Sequence, residues 1–201
     1  RVILRIPQLG RIQFFLANQG GLLLLIVVPS IIILVRYVMK LIRLTQVQEK
    51  VEKNLRDRGF EVKICATGAE AADYLNGVID GVTVGIGGSS TVQDIGLYEK
   101  LESHNAVFWH WKQDAAVARK EAMNADVYIT SANALAETGE MINIDGVGNR
   151  ISATLFGHKK VYYIIGKNKL VSTYEDAVWR ARNVAAPARA IQLNRNTPCA
   201  V

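Results

Sequence analysis

Two patterns of apolar residues divide the chain. Residues 20–35 carry no charge and are almost wholly aliphatic, whereas from Val47 onward apolar positions recur among charged ones at helix or strand spacing. Residues 22–35 alone fall short of the roughly 20 that a membrane-crossing helix needs. Starting at Phe14 and accepting Asn18 and Gln19 near one interface, residues 14–38 give enough length. Pro29 would kink that helix, which membrane helices tolerate. A buried core helix and a secretory signal peptide are the other readings. The first lacks anything nearby to cover so uniform a surface, and the second lacks a small-residue cleavage pattern. The expectation is a membrane-anchor-like segment over residues 1–45, followed by one α/β domain over 46–201.

Within that domain Val47, Val51 and Leu55 recur every fourth residue, which predicts an amphipathic helix over 47–58 closed by Gly59. Alternation predicts a strand over 60–66, and a short helix follows at 69–75. Strands are expected at 82–86, 106–111, 126–130 and 160–165, with a shorter one at 140–144. Helices are expected at 91–101, 114–124 with Asp114 near its N-cap, 149–156, and 173–185 ending before Pro187. Strands alternating with helices, several of them apolar on both faces, predict a mostly parallel sheet covered on both sides. No internal repeat or low-complexity tract interrupts it.

Charge changes the picture less than its total suggests. The 201 residues carry a formal net charge of +6 and a pI near 9.4. Yet Arg1, Arg5, Arg11, Arg36, Lys40 and Arg43 match the whole excess, and the first 44 residues hold no Asp or Glu. The basic residues flank the apolar run and read as membrane-flanking charges, so no nucleic-acid partner is expected. Slightly more positive charge follows the run than precedes it. With only Cys65 and Cys199 as thiols, this places the large domain in the cytoplasm. Cys65 is expected in the core. The chain begins at Arg1, as a fragment or processed product would.

The densest chemistry lies in VTVGIGGSSTVQDIG, where a buried strand runs into Gly87, Gly88, Ser89, Ser90 and Thr91 and a helix follows. Glycines expose consecutive N–H groups, hydroxyls add donors, and a helix start contributes partial positive charge, so phosphate or carboxylate is the expected guest. No lysine follows at P-loop spacing, and Ser90 stands where the dinucleotide fingerprint needs its third glycine. An ordinary capped strand-to-helix turn is the alternative.

A second stretch, TSANALAETGEMINIDGVGNR, gathers Asp145, Asn149 and Arg150 after a turn. There Arg150 could clamp an anion and Asn143 and Asn149 could supply amide donors. A plain turn, helix cap and solvated arginine fit as well. A third, IIGKNKLV, ends a strand at Gly166–Lys169, where Lys169 could complete an anion pocket or simply belong to a polar loop. Glu137 and Glu140 are the candidate acid/base or nucleophilic carboxylates. His104, His110 and His158 show no metal spacing, and no metal or cofactor is assigned.

Together GGSST, the long string DAAVARKEAMNADVYITSANALAETGEMINIDGVGNR, KKVYYIIGKNK and EDAVWRARNVAAP resemble the LUD (lactate-utilisation, YkgG-like) family from about Val47 to Cys199. The resemblance implies a three-layer α/β/α sandwich of the NagB/RpiA/CoA-transferase type, with ligands over the strand ends. It also implies a role in oxidising lactate to pyruvate beside iron–sulfur partners. Gly87, Gly88, Ser89, Ser90 and Thr91 match the family's glycine/serine loop. Asp145, Gly148, Asn149 and Arg150 match its DG-x-GNR signature, and Gly166, Asn168 and Lys169 its G-x-NK. Small members continue past TPC into a cysteine-rich tail. Cys199 would ligate a metal only with such a continuation. A non-catalytic interaction subunit of an electron-transfer complex is the alternative function. Residues 1–44 separately resemble the C-terminal membrane tail of an ER-type signal peptidase, without its catalytic residues.

Overall fold

The computed structural model describes residues 22–198. The chain divides into two units, Arg1–Gln46 and Val47–Val201. A single helix, α1, runs Leu22–Asp57 and is helical through Pro29. Among the described residues no helix is long and apolar enough to cross a membrane. This departs from the expected span over 14–38, of which 14–21 lie outside the described residues. The reason is visible in α1 itself: only 14 apolar or small residues precede Arg36, and Lys40 and Arg43 follow within two turns. The end of α1 is amphipathic as expected. Val51 and Leu55 are buried with Leu135, and Gly59 terminates the run with φ +85°.

The core of the second unit is a four-stranded, wholly parallel sheet ordered β2-β1-β3-β6: β1 Thr83–Ile86, β2 Ala106–Trp109, β3 Val127–Thr130 and β6 Lys160–Tyr163. Side-chain alternation assigns its two faces. Val84, Ile86, Val107, Trp109, Val127 and Ile129 pack with Ala72 and Leu75 of α2 (Gly68–Val78), Val92 of α3 (Ser90–Asp94), and Leu97 and Leu101 of α4 (Leu97–Leu101). Opposite them, Tyr128 and Phe108 pack with Ala122 of α5 (Ala115–Met123) and Ala153 of α6 (Asn149–Leu155). Helices therefore cover both faces, which is what parallel strands require. Gly85 faces α5 so closely that a Cβ there would come within 2.5 Å of the Ala122 carbonyl oxygen.

Three further strands, β4 Ala134–Ala136, β5 Met141–Ile142 and β7 Leu170–Val171, form a small sheet ordered β5-β4-β7. β4 pairs antiparallel with β5 and parallel with β7. Ala134 and Ala136 pack on Ala177 of α7 (Tyr174–Arg180).

Several elements differ from the sequence expectation. Residues 60–66 form no strand: Val62 packs on the Val51–Leu55 cluster, while Phe60 and Ile64 are exposed and no neighbouring strand supplies a ladder. Cys65 lies in that stretch half-buried rather than in the core. The helix expected over 91–101 is two short helices, because Gly96 adopts φ +64° between them. The last helix does not stop before Pro187. A π-helical turn at Ala181–Ala185 leads into α8 (Ala186–Gln192), with Pro187 near its start, where the missing N–H is tolerated. Asp114 caps α5 as expected, its carboxylate accepting from the Ala116 and Val117 amides.

Candidate anion site at the C-terminal edge of the sheet

All four parallel strands end at one edge, and every loop that leaves there carries polar or cationic groups. After β1 the Gly87 amide still donates to the Ile129 carbonyl at 2.9 Å, and then the chain turns. Gly87 has no room for a side chain. A Cβ would lie 2.9 Å from both Thr130 Oγ1 and the Tyr128 hydroxyl, and 3.3 Å from Arg150 Cγ. The Gly87 backbone and the stem of Arg150 thus pass in direct contact. Gly88 faces His110 and Trp111 at the end of β2, and the buried Ser89 caps α3 by accepting from the Val92 amide. Ser90 is exposed, and Thr91 is half-buried.

Lys169 joins this loop to β3. Its ammonium donates to Thr91 Oγ1 at 2.9 Å and to Ser131 Oγ at 2.8 Å. Burial, helped by the nearby positive charges of Arg180 and Arg150, pushes its pKa down to about 8. The short 3₁₀ turn Lys167–Lys169 between β6 and β7 aims it inward, with the Lys169 amide bonded to the Gly166 carbonyl.

Arg150 is built in by α6 and the end of β3. Asp145 caps α6, its Oδ2 accepting from the Arg150 and Ile151 amides, and Gly148 supplies the left-handed residue before the helix at φ +82°. The Arg150 guanidinium donates to Asn133 Oδ1 at 3.0 Å and the Ile144 carbonyl at 2.7 Å. Arg180, from α7, donates to the Asn133 carbonyl. On the β2 side Arg189 lies 4.4 Å over the Trp111 ring, and its pKa is lowered by burial and by Arg150. The Arg119 Nε is buried with no hydrogen-bond partner among the described residues. The pKa of His110 is held down by burial and by Arg119 and Arg189, so its neutral form is favoured.

Among the described residues none of Arg119, Arg150, Lys169, Arg180 and Arg189 forms an ion pair, although nine other pairs do form. Asp94 acts on Lys169 only at a distance, and Asp145 is engaged by backbone amides. Cations converging with no ion-paired carboxylate are an arrangement chemically suited to a negatively charged guest.

Of the residues singled out from sequence, the structure brings together Gly87, Gly88, Ser89, Thr91, Arg150 and Lys169, with Asp145 and Gly148 as supports. Asn149 and Asn168 make no side-chain hydrogen bond to the loop among the described residues. The Asn168 carboxamide folds over Gly166 instead. Asn143 accepts from the Asn133 amide and so braces the β3–β4 connection. Glu137 and Glu140 sit on the β4–β5 turn, tied to Lys50 and Arg58. The Glu140 carboxyl is held low chiefly by the Thr138 hydroxyl and its own backbone amide. Cys199 lies outside the described residues.

Ser131, Asn133, Arg180, Arg119 and Arg189 were not singled out. The polar string Ser131–Asn133 directly after a buried strand was the available signal, since ligands gather where parallel strands end. The arginines had none, because helical spacing alone also suits a solvated face.

The model of the LUD domain family matches residues 48–201. The chain belongs to the LUD-domain family. That family is associated with lactate-utilisation proteins. The match covers the whole LUD unit described above and stops short of residues 1–44, whose likeness to a signal-peptidase tail finds no support. No curated protein matches the chain, and no solved structure does.

Proposed function

We propose that this LUD domain binds a small organic anion or a phosphate-bearing metabolite at the C-terminal edge of its parallel sheet, in the service of lactate and related organic-acid oxidation. The observation that carries the reading is the convergence of Arg150, Lys169 and Arg180, none ion-paired among the described residues, on Ser131, Asn133 and the 87–91 loop. Buried or half-buried cations are costly unless an opposite charge meets them. A bound anion would meet it. Helices on both faces of a parallel sheet agree with the NagB/RpiA/CoA-transferase architecture, whose ligands occupy this edge. Calorimetry with lactate, pyruvate, inorganic phosphate and coenzyme A, one at a time, tests the reading. At least one is expected to bind with saturable heat, and failure of all four removes it.

A second reading, a docking subunit for an iron–sulfur partner, rests on one observation. Leu155 and Phe156, at the end of α6, which carries Arg150 in its first turn, are 77% and 89% exposed, and Val147 before it is 69% exposed. Turnover of a 2-hydroxy acid with an artificial electron acceptor by the chain alone would discard this reading. Activity seen only on adding the partner would favour it.

A further inference from the structure

Within that reading one group is more than a counter-charge. Lys169 sits between two hydroxyls, bonded to Thr91 and Ser131 and paired with no carboxylate among the described residues. Lysines used as structural charges in this chain look different. Lys50, Lys53, Lys100, Lys112, Lys159 and Lys160 each meet an Asp or Glu oxygen. An amine set among guanidiniums and hydroxyls, with no carboxylate bonded to it, is the arrangement that turns lysine into a nucleophile.

We propose that Lys169 forms an imine with the carbonyl carbon of a 2-oxo acid held by the arginines beside it. The neutral amine adds its lone pair to the carbonyl carbon, and one N–H proton passes to the carbonyl oxygen to give a carbinolamine. The second N–H proton leaves with that oxygen as water, the C–O bond breaks, and a C=N bond remains. The imine then takes up a proton from solvent. No oxidant or reductant enters. Thr91 and Ser131, within 2.9 Å of the nitrogen, stand where those proton transfers occur. The remaining N–H groups of Arg180, of which only Nη1 is bonded among the described residues, are left for the carboxylate. A pKa lowered to about 8 keeps a useful fraction of the amine neutral near pH 7.

The test is reductive trapping on the full chain. Pyruvate and borohydride are added together, the product is digested, and the modified lysines are mapped by mass spectrometry. Lys169 is expected to carry at least about tenfold more adduct than any exposed lysine, as an activated amine should. Lys167→Arg, two residues away and exposed, is expected to leave the trapping unchanged. Lys169→Arg keeps the charge and is expected to abolish it. Because the mapping is done on the unmodified chain, a poorly folding variant does not blunt the result. Adduct spread evenly over the lysines, or none at Lys169, overturns the proposal. Lactate has no ketone carbonyl, so lactate binding without pyruvate trapping sinks the imine alone. Absence of binding by every anion sinks the site reading with it.

Discussion

The two edges of the parallel sheet are built from similar loops but treat charge in opposite ways. At the N-terminal edge, where β1, β2 and β3 begin, acidic groups are met by basic ones: Asp126 by Lys159 and Asp80 by His104. Asp126 pairs with Lys159 and exchanges hydrogen bonds with Thr83, and its carboxyl is held low by them. His104 sits between Asp80 and Asn76, and Asn105 bridges the Val82 amide and the Ile79 carbonyl. A depression lined by Gly81, Thr83, Glu102, His104 and Asp126 lies here, yet Thr83, His104 and Asp126 already hold hydrogen-bond partners within the protein. At the C-terminal edge Arg150, Lys169 and Arg180 hydrogen-bond, among the described residues, to neutral groups only. The contrast separates scaffold from site better than concavity does, since a self-satisfied depression offers a guest nothing in exchange for desolvation.

The sharpest way to break the comparison is Arg150→Ala. Loss of a charge-assisted hydrogen bond worth about 1.5–3 kcal/mol is expected to weaken anion binding roughly 10- to 100-fold by calorimetry. The same change cuts the ties to Asn133 and the Ile144 carbonyl, so a fall in Tm should accompany it. Undiminished affinity would mean that the guest sits elsewhere.

A pH titration gives the next largest effect. An anion favours the ammonium form of Lys169, whose free-protein pKa is about 8. Affinity should therefore be flat below about pH 8 and fall by up to about tenfold per unit above it, as binding takes up a proton. Stability of the free protein runs the other way. The folded pKa lies below the ordinary 10.5, so the lysine's cost is fully present below about pH 8. It is relieved as pH rises from there toward 10.5. Lys169→Met should flatten both trends, and a binding profile insensitive to that change would remove lysine from the site.

The smallest effect sharpens the comparison from the opposite edge. Thr83→Val removes two hydrogen bonds with Asp126. It is expected to cost about 1 kcal/mol, a fall in Tm of roughly 2–4 °C, while leaving anion affinity unchanged. Altered affinity would show that the two edges communicate.

Much of the fold was legible along the chain. The apolar runs at 82–86, 126–130 and 160–165 became parallel strands, because β-branched residues flanked by turn residues carry their own signal. The short strands β4 and β7 were not foreseen. Ala134–Ala136 has little strand preference, and it pairs only because β7 and α7 arrive from far along the chain. The reverse error at residues 60–66 has the same cause, since alternation without a neighbouring strand has no ladder to join. On local grounds Pro187 ends a helix, yet the π turn before it carries the helix on.

At the site, sequence by itself determined the glycine loop, the capped turn before Arg150 and the lysine at the end of its strand. Each is a local pattern of residues with restricted backbone or side-chain roles. Tertiary structure alone decided that these three pieces meet, that Arg180, Arg189 and Arg119 join them, and that Glu137 and Glu140 are tied off by Lys50 and Arg58. Those facts depend on which groups stand opposite one another across distant parts of the chain. A charge becomes a binding group or a structural one only when its neighbours in space are known.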